Sequence, residues 1–280
     1  MRLGVDVGGS KIEVAVLDRE GGMALRRRIA APDGAYEEGL RALADLVLDA
    51  EREAGARCSV GVGIPGALSP RTGLVKNAYN TPFNRQPLRR DLEAALGQPV
   101  RFANDANCFA LSEAADGAGR GARVVFGAIL GTGAGAGVVV EGRVLEGRNA
   151  IGGEWGHNPL PWMRPEEFPG PACYCGRAGC IEQFVSGPAL ARDKAAQGDE
   201  AALAHYEDRL ARALAQVVNL LDPDRIVLGG GVSNLERLYS SLPPLLARYV
   251  YTDEFDTPVL RAAHGDASGV RGAAMLWDQA

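Results

Sequence analysis

No apolar run in these 280 residues reaches the length needed to cross a bilayer. The first residues carry no charged leader, no extended apolar region and no small-residue cleavage site. Basic clustering is equally scarce. Arg26 to Arg28 is the only basic run, and the chain carries a formal net charge of -5 with a pI near 5.4. A nucleic-acid surface needs clustered Lys and Arg to neutralise phosphates, so none is expected, and the arginine run reads as the solvated face of a short strand. Cysteine is sparse too. Of five, Cys58 and Cys108 are isolated and three stand near a histidine, which suits a reducing compartment better than a disulfide framework. These absences lead to the expectation of a cytoplasmic protein with no membrane and no nucleic-acid partner. What is present, 46% hydrophobic and 23% charged residues, is the composition of a globular chain long enough for two ordinary domains.

The stretch from Gly152 to Glu182 reads as a loop stapled by a metal. His157, Cys173, Cys175 and Cys180 supply one imidazole and three thiolates, a complete tetrahedral set for structural zinc. A closed set leaves no position for water. Its task would be to fold a segment in which Pro159, Pro161, Pro165, Pro169 and Pro171 forbid regular structure. Gly176 and Gly179 allow the tight turn that a chelate ring requires. The competing reading makes the cysteines small buried hydrophobes or a disulfide pair, with the histidine unrelated. On the metal reading, Glu154, the second nitrogen of His157, and Glu182 become fixed polar groups around one small space, as a sugar site requires.

Leu3 to Val7 reads as a buried strand, Gly8-Gly9-Ser10-Lys11 as a tight turn and Ile12 to Leu17 as the returning strand. A glycine tip of this kind exposes backbone N–H groups that can approach phosphate oxygens closely. The pattern returns at Val124 to Val140, where Gly131-Thr132-Gly133-Ala134-Gly135 follows Leu130. Two such hairpins imply a duplicated fold, each copy opening a βββα unit. A third tip, Gly229-Gly230-Gly231, breaks the strand Arg225 to Leu228, and there a flat base could lie against bare backbone; Ser233 or Asn234 is placed to cap a helix from near Leu235. Between these points strands (Cys58 to Ile64, Val100 to Ala103) alternate with helices (Tyr36 to Ala54, Asp105 to Gly117, Glu200 to Leu221, Ala267 to Trp277). This is mixed α/β in two halves, with a boundary near Ser112 to Arg120.

Asn104-Asp105 lies where a strand stops and a helix starts, the usual place for ligands in open α/β sheets. Asp105 alone could be a helix cap. Its company changes the balance: Pro65-Gly66 after a strand, Asn77 and Asn80 in a polar loop, Glu154, His157 and Glu182 give the donors and acceptors that a polyhydroxylated ligand needs. In phosphoryl transfer one carboxylate suffices as base, and Asp105 would accept the proton of an attacking sugar hydroxyl while Asp6 faces magnesium. Lys11 is either an exposed turn lysine or a phosphate contact.

With these motifs the chain resembles the ROK family of repressors, open reading frames and sugar kinases, over essentially its whole length. The matching stretches are DVGGSK at 6 to 11 (Ser10 where the family usually has Thr), GIPG at 63 to 66, NDAN at 104 to 107 and LGTGAGAG at 130 to 137. EWGH at 154 to 157, CYCGRAGCIE at 173 to 182 and LGGG at 228 to 231 complete the set. The resemblance implies an actin-like, Hsp70-like ATPase (ribonuclease H-like) α/β fold of two domains, 1–115 with 265–280 and 116–264, with an active-site cleft between them and the last helix returned to the first domain. It implies Asp105 as base, with Gly66, Asn80, Asn104, Glu154, His157 and Glu182 as sugar contacts. Asp6, Gly8, Gly9, Ser10, Lys11, Gly131, Thr132, Gly133, Gly135, Gly229, Gly230 and Gly231 would hold ATP, Asp6 would face magnesium, and His157 with the three cysteines would bind structural zinc. A homodimer is expected.

Repressor members add an N-terminal DNA-binding domain, whereas this chain starts at the phosphate hairpin, so a kinase is expected. WGHNPLPW at 155 to 162, VKNA at 75 to 78 and the tail from His264 look most like bacterial fructokinases, with N-acetylglucosamine kinases the nearest rivals. Pro159, Pro161 and Trp162 beside His157 would crowd the pocket. D-fructose is therefore the expected acceptor, through its 6-hydroxyl, and an acetamido sugar a poor one. A broad gluco/mannokinase or a sugar sensor without turnover are the remaining alternatives.

Overall fold

The computed structural model describes residues 1–32 and 34–279. Its contacts divide the chain into two units, one made of Met1–Ser112, Arg143–Gly152 and Ala267–Ala280 and the other of Glu113–Gly142 and Gly153–Asp266. The expected division assigned all of 116–264 to the second domain; the segment Arg143–Gly152, with its short strand β10 (Arg143–Val144), groups with the first.

In the first unit, β1 (Arg2–Val7) turns back on β2 (Lys11–Leu17), which pairs in antiparallel fashion with β3 (Met23–Ala30). On the other side β1 runs parallel to β4 (Ser59–Ile64), and β4 parallel to β7 (Val100–Asn104), giving the order β3-β2-β1-β4-β7. Alternation decides what covers each face. Leu3, Val5 and Val7 cluster with Leu43, Leu46 and Val47 of α1 (Tyr36–Ala54) and with Leu88 and Leu92 of α2 (Leu88–Leu96). The alternate residues are small, because α8 (Ser268–Ala274) lies directly on the strand backbone: a Cβ at Gly4 would stand 2.0 Å from the Val270 carbonyl and one at Gly61 1.9 Å from that of Ala273. The chain end thus returns to the first unit, in a shorter α-helix than Ala267 to Trp277, flanked by 3-10 turns. Two short strands, β5 (Ala67–Leu68) and β6 (Val75–Lys76), pair beyond β4. α3 (Asp105–Ala115) follows β7 without a linker and stops two residues before Gly117.

The second unit repeats the arrangement. β8 (Val124–Leu130) turns back on β9 (Ala134–Val140) and runs parallel to β11 (Arg225–Gly229), itself parallel to β12 (Val259–Arg261), in the order β9-β8-β11-β12. Its core is built on α6 (Asp199–Leu221), whose Tyr206, Leu210, Leu214 and Val217 meet Phe126, Leu130 and Ile226 of the sheet. α4 (Glu182–Val185) and α5 (Gly187–Gln197) follow the cysteine loop, and α7 (Arg237–Leu246) follows the third glycine tip. α7 starts at Arg237 rather than Leu235 and has no side-chain cap; Ser233 Oγ donates instead to the Gly230 carbonyl at 2.7 Å.

Arg212 stands on the buried stripe of α6 at 1% exposure. Its guanidinium donates to the carbonyls of Pro161 and Trp162, to both oxygens of Glu167 and to Asp208. Burial works against the charge of Glu167, but Arg212, the Arg164 N–H and Arg209 outweigh it and hold the carboxyl down to about 2. The proline-rich loop is therefore anchored to α6 by a buried ion network. Removing one member would leave the others desolvated without a partner, the costly case for buried charges. Among the described residues no helix is long and apolar enough to cross a membrane.

Candidate active site

The first unit gathers Asp6, Asp105, Asn104, Gly66, Lys11 and Asn80 around the carboxyl ends of its strands. The hairpin tip closes through Gly8 N–H donating to the Lys11 carbonyl at 2.8 Å. A Cβ on Gly9 would lie 3.0 Å from the Asn80 carbonyl, so the polar loop lies against the tip. Gly66 has φ +68, and a Cβ there would fall 2.0 Å from the Lys76 carbonyl; glycine is the residue this turn accepts.

Asn104 Nδ2 donates to the Gly66 carbonyl at 3.0 Å, while its Oδ1 accepts from the N–H groups of Ala106 and Asn107 at 2.9 and 3.3 Å. Asn104 thus does most of the capping of α3. Asp105 accepts the Ala106 N–H through Oδ1, at 2.8 Å, and is partly exposed at the helix start.

Asp6 ends β1 directly opposite Glu13 in the strand register, and the first turn of α8 presses on it, with a Cβ at Gly269 falling 3.0 Å from its Oδ2. Burial, then the negative charges of Asp105 and Glu13, push Asp6 up to about 7, against the weaker pull of Lys11 and Arg28. Two carboxylates that sense each other this strongly form a site short of positive charge.

The second unit places its glycine tips together. Gly131 N–H closes on the Gly133 carbonyl at 3.0 Å, and Gly230, at φ +82, abuts the end of β8, where a Cβ would fall 2.5 Å from the Leu130 carbonyl. Gly231 faces open space. Glu182, buried at the start of α4, accepts the Ala134 N–H through Oε2 at 3.0 Å and would collide with any side chain at Gly133, at 2.6 Å. It therefore braces the second hairpin, a role with no signal in the local sequence.

His157, Cys173, Cys175 and Cys180 do converge. Their ligand atoms all lie within 4.8 Å of one another, with Cys173 Sγ 3.6 Å from His157 Nδ1 and Cys175 Sγ 3.6 Å from Cys180 Sγ. The chain pairs Pro159 with Cys180 and Ala172 with Ala178 in isolated bridges that hold the loop in this shape. Burial and the two neighbouring thiols push Cys180 well up from its ordinary range.

Two residues of this loop have partners of their own. Trp162, expected beside the sugar, has φ +46 and stacks on Tyr249 with centroids 5.5 Å apart, while its carbonyl accepts from Arg212. Its indole is held by the segment after α7 and its carbonyl by α6. The second nitrogen of His157 is also engaged, since Nε2 lies 2.9 Å from the Tyr174 hydroxyl. Tyr174 sits between two metal-type cysteines, and only its position in C-Y-C marked it in the sequence.

Residues 2–280 match the ROK family, and the chain belongs to that family. It is 39% identical to an N-acetyl-D-glucosamine kinase of Pectobacterium atrosepticum, over 99% of this chain and 98% of that one. The same-named protein of Escherichia coli O6:H1 is 40% identical over 99% of each. Among solved structures, a ROK hexokinase of Thermus thermophilus superposes with a TM-score of 0.85 at 36% identity, over 98% of this chain and 96% of that one. A ROK family glucokinase of Streptomyces griseus, solved with glucose and AMPPNP, gives 0.82 at 29% identity over 100% and 99%. The protein is an ATP-dependent sugar kinase with the actin-like ATPase fold.

The raised Asp6 carboxyl makes stability depend on pH. A carboxyl that titrates near 7 folded and near 3.8 unfolded destabilises the fold as it ionises, so metal-free protein should lose stability as pH rises from about 4 to about 7. Asp6→Asn should remove that slope and be more stable than the parent by roughly 2 kcal/mol at pH 8, with the gap closing toward pH 4. Urea denaturation across that range checks it; a gap that does not change with pH would mean that Asp6 ionises as an ordinary surface carboxylate.

Proposed function

We propose that the protein phosphorylates N-acetylglucosamine, transferring the γ-phosphate of ATP to the 6-hydroxyl. The observation that carries this is the 39–40% identity, over 98–99% of their lengths, to N-acetyl-D-glucosamine kinases. The hexokinase and glucokinase neighbours, at 36% and 29%, support a hexose site in general. D-fructose, the acceptor expected from a crowded pocket, loses its physical argument because Trp162 is tied to Tyr249 and Arg212.

On this reading Asp105 accepts the proton of the sugar hydroxyl as its oxygen attacks the γ-phosphorus, and the bond to the bridging oxygen breaks to release ADP. Asn104 orients the base by binding Gly66 and capping α3. Gly66, Asn80, Asn104, Glu154, His157 and Glu182 hydrogen-bond the sugar. Backbone N–H groups of Gly8, Gly9 and Ser10, with Lys11, and of Gly131, Thr132, Gly133 and Gly135 hold the phosphates; Gly229 to Gly231 floor the base. Asp6 suits a magnesium ion because its carboxyl is short of positive charge, and the ion would offset the charge of the phosphates. The intact base argues against a sugar sensor.

Zinc fits the cysteine loop. A tetrahedral site with metal–sulfur bonds of about 2.3 Å has sulfur–sulfur edges of roughly 3.8 Å, close to the 3.6 Å between Cys175 and Cys180. Bound there, the metal would hold the loop in place of secondary structure.

Three outcomes test these assignments. Catalytic efficiency should be at least tenfold higher on N-acetylglucosamine than on D-fructose in a coupled ADP-release assay; the reverse order overturns the acceptor and leaves the kinase standing. Asp105→Asn should lower kcat by about two to four decades with sugar and nucleotide binding nearly intact, whereas near-parental turnover would reduce Asp105 to a helix-start residue. Elemental analysis should find one zinc per chain, and Cys175→Ser should weaken sugar binding before nucleotide binding; unchanged sugar affinity together with unchanged melting temperature would reject the metal.

A further inference from the structure

The Tyr174 side chain is 67% exposed, yet its hydroxyl is placed with care. Its ring meets the imidazole of His157 edge-on, with centroids 5.1 Å apart and planes at 88°, and its oxygen lies 2.9 Å from Nε2. The other nitrogen, Nδ1, faces the Cys173 thiol. Both nitrogens of His157 are therefore committed in the sugar-free protein. The phenolic oxygen thus occupies the Nε2 side of His157, a residue read with Glu154 and Glu182 as a sugar contact of the second unit.

The backbone around it can let the side chain go. Tyr174 rides on a turn closed by Gly176 N–H donating to the Cys173 carbonyl, with Gly176 at φ +87. A mostly exposed ring on such a turn gives up little packing when it rotates. With Nδ1 directed at the thiol set, Nε2 carries the ring proton, and it can donate that proton to any hydroxyl oxygen brought to the same point.

We propose that Tyr174 is a removable stand-in for a sugar hydroxyl, holding His157 Nε2 in the free protein and leaving when the sugar arrives to accept the same N–H. The proposal rests on the reading of Glu154, His157 and Glu182 as sugar contacts. Its consequence is competition: the fraction of molecules with Nε2 available divides the intrinsic affinity for sugar. The stand-in also keeps the imidazole oriented toward the cysteines before substrate binds, the service that an outer hydrogen-bond partner gives a metal-binding histidine.

Tyr174→Phe keeps the ring and removes the competitor. Calorimetric titration of the zinc-loaded protein with N-acetylglucosamine, without nucleotide, should show affinity increased about three- to tenfold, the range one hydrogen bond contributes. The KM for ATP and kcat should not change. Zinc release to a chromogenic chelator should be faster in the variant without sugar and equal to the parent in saturating sugar. Unchanged or weakened sugar affinity would overturn the proposal, as would faster zinc release that sugar does not correct. Glu154→Gln separates this failure from failure of the underlying reading: if it binds the sugar as the parent does, the second-unit sugar site is itself misassigned, whereas loss of binding there with no gain in Tyr174→Phe removes the stand-in alone.

Discussion

Two carboxylates of the first unit, Asp6 near the end of β1 and Asp105 just beyond β7, set the terms for its candidate site. Burial, then the charges of Asp105 and Glu13, hold Asp6 up to about 7. Such an arrangement is unfavourable for folding, and carboxyls perturbed in this way cluster at functional sites. The surrounding architecture serves to keep it. Glycines at 4 and 61 let α8 lie on the strand backbone behind Asp6, and Asn104 takes over most of the capping of α3.

The second unit uses a similar sheet differently. Its sheet order repeats that of the first, but the strand ends carry bare backbone, with Gly230 against Leu130 and Gly133 against the buried Glu182. Glu182 ties the cysteine loop to the glycine hairpin through the Ala134 N–H. A change in that loop is therefore a change at the hairpin as well. The Arg212 network fixes the proline-rich arm of the same loop, so the segment from Trp155 to Glu182 is held by metal-type ligands near both ends and by buried ion pairs between them.

Much of this was legible in the sequence because it depended on local rules. Period-2 apolar runs broken by glycines located both hairpins, and the spacing of one histidine and three cysteines located a cluster that does converge. What escaped was decided by contacts far apart in sequence. Arg212 is a single charge on an apolar stripe, and its partners Pro161, Trp162 and Glu167 lie about fifty residues upstream. Trp162 sits in a left-handed conformation uncommon for a bulky residue, which turns its indole onto Tyr249 and defeats the inference from neighbouring sequence that it crowds a sugar. Tyr174 drew no reading from the sequence, because only the folded turn brings its hydroxyl to His157.

The central claim is that these residues carry out transfer of the γ-phosphate to a hexose hydroxyl. Phosphorus NMR of the protein with ATP, magnesium and N-acetylglucosamine reads it directly, since bond formation and bond cleavage are seen together. The account predicts one 6-phosphorylated sugar for each ADP formed, with no release of inorganic phosphate above background. ATP left intact, or hydrolysed to free phosphate while every hexose offered stays unmodified, would contradict it.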